Sequence, residues 1–353
     1  MRNPDISIVI PSFNQGKYIE RTLLSILKQE YQGKVEVIVS DGGSTDNTVD
    51  VLKKYDKQIT WWSEKDDGYT DAVNKGFQKA TGEIFGIQSS DDYYLSKSFQ
   101  KLNNSFEMNK DAVLICGREA LQESDGHIFG GYELPELITP RSFLLDHPFP
   151  GIFQHTTFFR RKFYEKAGGM RLQFDICADA DLFYRMLHFG NGHFLNEYIA
   201  VYQRHNSQRT TTQTLKFRDS LIEMVNSCKK DEFYYRKYCP SESETNRFQT
   251  FIRLFYLQYE NPEGALNLAE EISKSSPIDK RITNLINLVL NQEGPNKKFE
   301  DNIIKKSARI LNRIIAKIFH GTNSQRVQQI LFSDKINANW WDEHNNIKQI
   351  KLQ

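Results

Sequence analysis

The chain of 353 residues has only four cysteines, Cys116, Cys177, Cys228 and Cys239, and none forms a CxxC pair. That spacing argues against a structural zinc site and for a reducing compartment. Long apolar runs are missing too. No stretch approaches the roughly 18 residues a spanning helix needs. The run 6–10 is too short for the apolar core of a signal peptide. A cytoplasmic protein is therefore expected. Neither charge dominates: 46 Lys and Arg stand against 45 Asp and Glu, a net charge of +1, so no nucleic-acid partner is indicated. No G-x-G-x-x-G follows the first apolar run, and no G-x-x-x-x-G-K-[ST] occurs. Neither a dinucleotide nor a P-loop ATP site is expected.

What is present is an alternation. Short apolar runs at 6–10, 35–39, 59–62, 83–88 and 112–116 read as strands, the first ended by Pro11. Between them lie segments of helical period at 16–29, 45–55, 70–80 and 96–108. Ser44, Thr45 or Asp46 is available to cap the second helix, and Thr81-Gly82 closes the third like a glycine C-terminal cap. Four β-α units in about 110 residues predict a doubly wound, mostly parallel α/β sheet. Beyond Gly117 the pattern loosens into loops, short strands at 156–159, 193–195 and 199–202, and a helix at 181–189. From about Leu215 the chain reads as helical. The expected boundaries are 1–117 and 118–214 as two halves of one domain, 215–295 as a helical extension, and 296–353 as a basic tail. That tail holds eleven Lys and Arg against five Asp and Glu. The segment 262–271 resembles one helix of a helical-hairpin repeat, and Gly294-Pro295-Asn296 reads as a hinge.

Strand ends one, two and four would deliver polar groups to one edge, where open α/β sheets bind ligands: Ser12 and Asn14, Asp41 and Asp46, Asp91 and Asp92. Adjacent carboxylates repel unless a cation lies between them and a ligand. The expectation is a nucleotide diphosphate pocket, with Asp41 accepting from base or ribose and Asp92 holding Mg²⁺ or Mn²⁺. The competing reading treats Asp41 and Asp46 as turn or cap residues and Asp91-Asp92 as a helix start.

Several blocks in order resemble family 2 glycosyltransferases of the GT-A fold. They are Ile8-Val9-Ile10-Pro11-Ser12-Phe13-Asn14, Val39-Ser40-Asp41-Gly42-Gly43-Ser44-Thr45-Asp46-Asn47-Thr48, and Ser63-Glu64-Lys65-Asp66-Asp67-Gly68 running into Asp71-Ala72-Val73-Asn74-Lys75-Gly76. The stretch from Ala80 to Asp92 is similar to the segment ending in that family's metal motif. Gln154-His155-Thr156 and Ala178-Asp179-Ala180-Asp181 fall where the family has its acceptor-side segment and its catalytic base. The resemblance covers roughly the first 210 residues. It implies a GT-A domain over 1–214 and donor contacts from Pro11, Ser12, Asn14, Asp41, Asp66, Asp71, Lys75 and Asp91. It further implies that Asp92 and His205 hold a metal and that His155 and Asp181 lie on the acceptor side. Asp179 would be the base that deprotonates the acceptor hydroxyl in a single inverting displacement. Two departures leave alternatives open. The chain has Asp41-Gly42-Gly43 where many members have Asp-Asp-Gly, so the position of the base contact is not fixed. Its base motif lacks the usual Glu-Asp, so Asp181 competes with Asp179, unless Asp181 and Arg185 form an i, i+4 ion pair.

His205 lies in a polar loop that could close over the diphosphate or metal, or be an exposed basic loop. His155 could orient the acceptor or be a structural histidine. The segment 303–319 sets Ile304, Ala308, Leu311, Ile315 and Ile318 against Lys306, Arg309, Arg313 and Lys317. Such a helix either packs on its own protein or lies on an anionic bilayer. The resulting expectation is a metal-dependent inverting enzyme of surface polysaccharide synthesis. It would use a nucleotide sugar, most simply a UDP-sugar, and a glycan or lipid-linked acceptor, with peripheral contact on the inner face of the membrane. The alternatives are a sugar-phosphate nucleotidylyltransferase, whose glycine-rich, arginine-containing N-terminal loop is absent, and a non-catalytic nucleotide-sugar or glycan-binding protein.

Overall fold

The computed structural model describes residues 4–122, 128–130, 136–145, 152–205 and 207–228, with isolated positions beyond. The described residues fall into two compact units. One holds 4–143 and 152–208, and the other holds 144–145 and the residues from Arg209 onward. The predicted repeat at 262–271 lies almost wholly outside the described residues, and the hinge and basic tail lie entirely outside them.

Strand β1 (Ile6–Ser12) is buried along its whole length, as its unbroken apolar run requires of a central parallel strand. Helix α1 (Ile19–Leu27) follows, and then β2 (Val35–Asp41), α2 (Thr48–Lys53), β3 (Thr60–Ser63), α3 (Tyr69–Lys79) and β4 (Ile84–Ile87). These strands pair in parallel in the order β3-β2-β1-β4. Ile19, Leu23 and Ile26 place one face of α1 on the sheet, where Leu23 is fully buried. Burial of such a side chain is worth roughly 1.5–3 kcal/mol.

A two-residue strand, β5 (Tyr93–Tyr94), comes before α4 (Ser98–Met108), β6 (Leu114–Gln122), β7 (Ile128–Gly130), β8 (Leu137–Ile138) and α5 (Pro140–Leu145). The chain continues through β9 (Thr157–Arg160), α6 (Arg161–Ala167), a 3-10 segment at Leu172–Cys177, α7 (Ala178–Leu187) and β10 (Gly192–Gln203). The second unit opens with α8 (Arg209–Thr212) and α9 (Thr214–Cys228). Among the described residues ten strands make one sheet, ordered β3-β2-β1-β4-β9-β6-β10-β5, with β7 on β6 and β8 on β10. Strand β9 runs antiparallel to both neighbours and joins the parallel half to the parallel pair β6 and β10. The α/β sheet expected from the alternation is observed, its parallel half as predicted, with the antiparallel pairings of β9, β5, β7 and β8 making the whole sheet mixed.

Two local expectations change. The predicted short strands at 193–195 and 199–202 are one strand, β10, interrupted by register shifts between Leu195 and Ala200. Gly82 is not a left-handed cap, because α3 ends on Ala80 in an extended conformation (φ −73°, ψ 137°). It is a glycine because a Cβ there would lie 2.7 Å from the Ser7 backbone nitrogen.

Candidate active site

The carboxyl ends of β1, β2 and β4 converge, and each predicted residue has a definite place there. Asp41, at the end of β2, is fully buried. Its Oδ2 accepts from the Ser44 N–H at 2.9 Å and the Ser63 hydroxyl at 2.6 Å, while Oδ1 accepts from the Ser44 hydroxyl at 2.5 Å. Through these three bonds Asp41 closes the Asp-Gly-Gly-Ser turn and ties it to the end of β3. Asp46 is likewise structural. It accepts from the Thr48 N–H at 2.9 Å, just ahead of α2, whose N-cap is Asn47 rather than one of the predicted residues, and from the Gly16 N–H at 3.0 Å. Asn14, at φ 53°, clamps the same turn through Oδ1, which takes the Thr45 N–H at 2.8 Å.

Asp66, half-buried beyond β3, meets the same turn. It stands over Gly42, so close that a Cβ there would lie 2.8 Å from Asp66 Oδ2. The Gly68 N–H fixes the other oxygen at 2.9 Å. Burial holds the Asp66 carboxyl above its ordinary value, aided by Asp71 and Asp41 and opposed by the Gly68 N–H and Lys75. Ser12, 5% exposed, has a buried hydroxyl with no protein partner. Pro11 is buried, whereas Phe13 is 58% exposed and presents an aromatic surface beyond β1. Lys75 and Asp71 form an i, i+4 pair at 2.9 Å on α3.

Asp91 and Asp92 point to different partners. The Asp91 Oδ2 lies 2.8 Å from His205 Nε2, and both side chains are partly exposed. His205 also reaches Ser207 through Nδ1 at 2.8 Å and stacks on Tyr18 with centroids 4.9 Å apart. Asp92 is 1% exposed, and its Oδ1 accepts the Gln203 N–H at 2.8 Å. Burial above all, and then Asp91, push its carboxyl well up. Asp92 is thus closed from solvent and holds β10 through the Gln203 N–H, while Asp91 and His205 are the partly exposed groups at this edge. No cluster of three or more metal-ligating side chains occurs among the described residues; of the groups at this edge, the Asp91 carboxylate is the ligand type that suits Mn²⁺ or Mg²⁺.

On the other side, Thr70 Oγ1 donates to the Asp175 carbonyl at 3.3 Å, and Asn74 exchanges hydrogen bonds with Met170 at 2.8 and 3.0 Å. Helix α3 thus carries the donor-side loop at its start and holds the segment leading into α7 along its length. Asp179 sits half-buried in the first turn of α7, its Oδ1 on the Ala180 N–H at 2.9 Å. Asp181 does not compete with it. It is 1% exposed and bridges Arg171 and the equally buried Arg185, which in turn donates to the Gly169 carbonyl at 2.7 Å. The acceptor-side expectation for Asp181 gives way to the ion pair. His155 is also interior. It is 6% exposed, stacked on Tyr202 and 3.1 Å from Glu119 Oε2, an ion-pair distance without an aligned hydrogen bond.

Asp66 was among the sequence-predicted donor residues, but its place over Gly42 was not foreseen, and sequence reasoning missed Arg21, Glu119 and Gln203. Only Gly42 carried a signal, as a glycine where related motifs have a side chain.

Comparison with known proteins places this geometry. Residues 7–168, just under half of the chain, match the model of glycosyl transferase family 2. An uncharacterised glycosyltransferase of Rickettsia typhi is 27% identical over 217 residues, covering 60% of this chain and 67% of the relative. Glycosyltransferase GlyG of Streptococcus pneumoniae is 34% identical over 129 residues, 35% of this chain and 42% of that protein. The fold is similar to that of S. aureus TarS residues 1–349 in complex with UDP-GlcNAc, with TM-score 0.54, 15% identity, and 82% and 86% of the two chains covered. It is also similar to the mannosyltransferase PcManGT of Pyrobaculum calidifontis in complex with GDP-Man and Mn²⁺, with TM-score 0.51, 16% identity, and 95% and 88% covered. No helix among the described residues is long and apolar enough to cross a membrane. With motifs and sheet in agreement, residues 7–168 are similar to the family 2 glycosyltransferases, and the sheet has the GT-A fold.

Proposed function

We propose that the chain moves a sugar, with inversion, from a UDP-linked donor to a hydroxyl of a glycan or lipid-linked acceptor, aided by a divalent cation. The observation that carries this reading is the Asp91–His205 pair at 2.8 Å, at the strand-end edge that also holds the orphan Ser12 hydroxyl. Phe13 would cover the base, Asp66 would accept from base or ribose, and Lys75 would face the diphosphate. A cation on Asp91 and His205 would offset the charge that grows on the departing diphosphate. Asp179 takes the proton of the acceptor hydroxyl as its oxygen bonds to the anomeric carbon and the bond to the diphosphate breaks. General-base help of this kind typically contributes about 10²–10⁴-fold. The UDP, UDP-GlcNAc and Mn²⁺ bound by the structural relatives support the ligand class. A role in surface polysaccharide synthesis, on the inner face of the membrane with contact through 303–319, belongs to the same proposal.

A thermal-shift panel of UDP- and GDP-sugars with and without Mn²⁺ tests the donor class. Stabilisation by a UDP-sugar that Mn²⁺ strengthens is expected, and no response to any nucleotide sugar would overturn the reading. Asp179→Asn should keep that shift and lose transfer.

A further inference from the structure

The side chains of Tyr18, Arg21, Thr22, Ser25 and Gln29 form a polar stripe along α1 at helical spacing, beside its apolar face. The stripe grips the acidic loop from behind. Thr22 Oγ1 donates to the Ser90 and Asp92 carbonyls at 2.9 and 2.6 Å. Arg21 Nη2 donates to the Asp91 carbonyl at 3.1 Å. Ser25 Oγ accepts the Tyr94 N–H at 3.1 Å, and Gln29 Nε2 donates to the Leu95 carbonyl at 2.7 Å.

Arg21 also donates to the Gln203 side-chain oxygen, and its guanidinium lies 3.9 Å from the centroid of the Tyr93 ring. Gln203 ends β10, two residues before His205, and its own N–H is held by Asp92. One guanidinium therefore touches both chain segments that supply the Asp91–His205 pair, although the segments are more than 100 residues apart. Its planar fork suits this work, because each N–H has a fixed direction that a lysine ammonium lacks.

We infer that Arg21 is a positioning residue that presets Asp91 against His205 and so determines how tightly this site takes a divalent cation. The inference rests on the reading of Asp91 and His205 as the metal pair. Arg21 does not itself ligate. It acts on the Asp91 backbone and through Gln203, as outer partners of metal ligands commonly do, with effects of about 10–100-fold on affinity.

The test is Mn²⁺ titration of the full chain, followed by the paramagnetic resonance signal of free Mn²⁺, alone and with saturating UDP. Wild type, Arg21→Met, Arg21→Lys, Thr22→Val and Asp91→Asn are compared, with UDP affinity in EDTA and thermal unfolding measured on each. Arg21→Met is expected to weaken Mn²⁺ about 10–100-fold while UDP binding in EDTA stays within twofold. Arg21→Lys should recover only part of the loss. If Arg21→Met fails to fold, Arg21→Lys and Thr22→Val carry the test, with a weakening of Mn²⁺ expected in each. Loss of Mn²⁺ in Asp91→Asn with unchanged Mn²⁺ affinity in the folded Arg21 and Thr22 variants overturns the positioning role alone. Absence of Mn²⁺ binding in wild type, or its persistence in Asp91→Asn, overturns the metal reading and this inference with it. A uniform loss of UDP affinity in EDTA would mark Arg21 as structural only.

Discussion

Replacing Gly42 with alanine isolates the Asp66 carboxylate without disturbing the backbone. Gly42 is not among the residues at positive φ, so alanine is conformationally acceptable there. The added Cβ would stand 2.8 Å from Asp66 Oδ2 and 3.1 Å from Oδ1, against 3.4 Å for ordinary contact. Asp66 must then retreat by about 0.6 Å, which strains its 2.9 Å hydrogen bond from Gly68. A hydrogen bond to a charged group contributes roughly 1.5–3 kcal/mol. If Asp66 accepts from the nucleotide, its displacement should weaken UDP binding by about 10- to 150-fold. Isothermal titration of wild type, Gly42→Ala, Asp66→Ala and the double variant measures this as a cycle. Gly42→Ala should be costly when Asp66 is present and nearly silent when it is absent. Equal costs in both backgrounds, or an Asp66→Ala variant with wild-type affinity, would refute the argument. Thermal unfolding of Gly42→Ala should barely move.

Removing Asp181 should act on stability rather than chemistry. Asp181→Ala strands the buried Arg185, at a cost of about 3–5 kcal/mol, or roughly 6–20 °C in unfolding temperature by calorimetry. Asp179→Asn should unfold like wild type, and the reverse pattern would exchange the two roles. Asp91→Asn and His205→Ala should each abolish the Mn²⁺ dependence of UDP binding, whereas Asp92→Asn should keep it and change only stability. Loss of metal dependence in Asp92→Asn alone would return the ligand role to Asp92. His155 gives a pH signature. Burial alone would lower its pKa, but Glu119 and then Asp92 outweigh burial and raise it above 6.5. A raised folded value means that protonation stabilises the native state in full below the unfolded value and is lost as pH climbs through the folded one. The advantage of wild type over His155→Gln in denaturant unfolding should therefore shrink as pH rises above 6.5, and an advantage that grows would contradict the sign.

The candidate site was legible from sequence in its location and illegible in its assignments. The apolar runs of β1, β2 and β4, each ending in polar residues, by themselves place Ser12, Asp41 and Asp91 at one edge. Which carboxylates face the pocket was beyond sequence, because it depends on who consumes their lone pairs. Asp41 is spent on Ser44 and Ser63, and Ser63 reaches it only by the pairing of β2 with β3. Asp181 is spent on Arg171 and Arg185. Only the i, i+4 half of that arrangement was visible in the chain.

By itself, then, the sequence determined the parallel α/β core and the cluster of carboxylates at its edge, since hydrophobic period and strand-end chemistry are local properties. Tertiary structure alone decided that Asp66 fills the space over Gly42, that His205 meets Asp91 rather than Asp92, and that Arg21 ties both loops to α1. Those contacts join residues from 24 to more than 100 positions apart, and no periodicity in the chain records a distance that only packing creates.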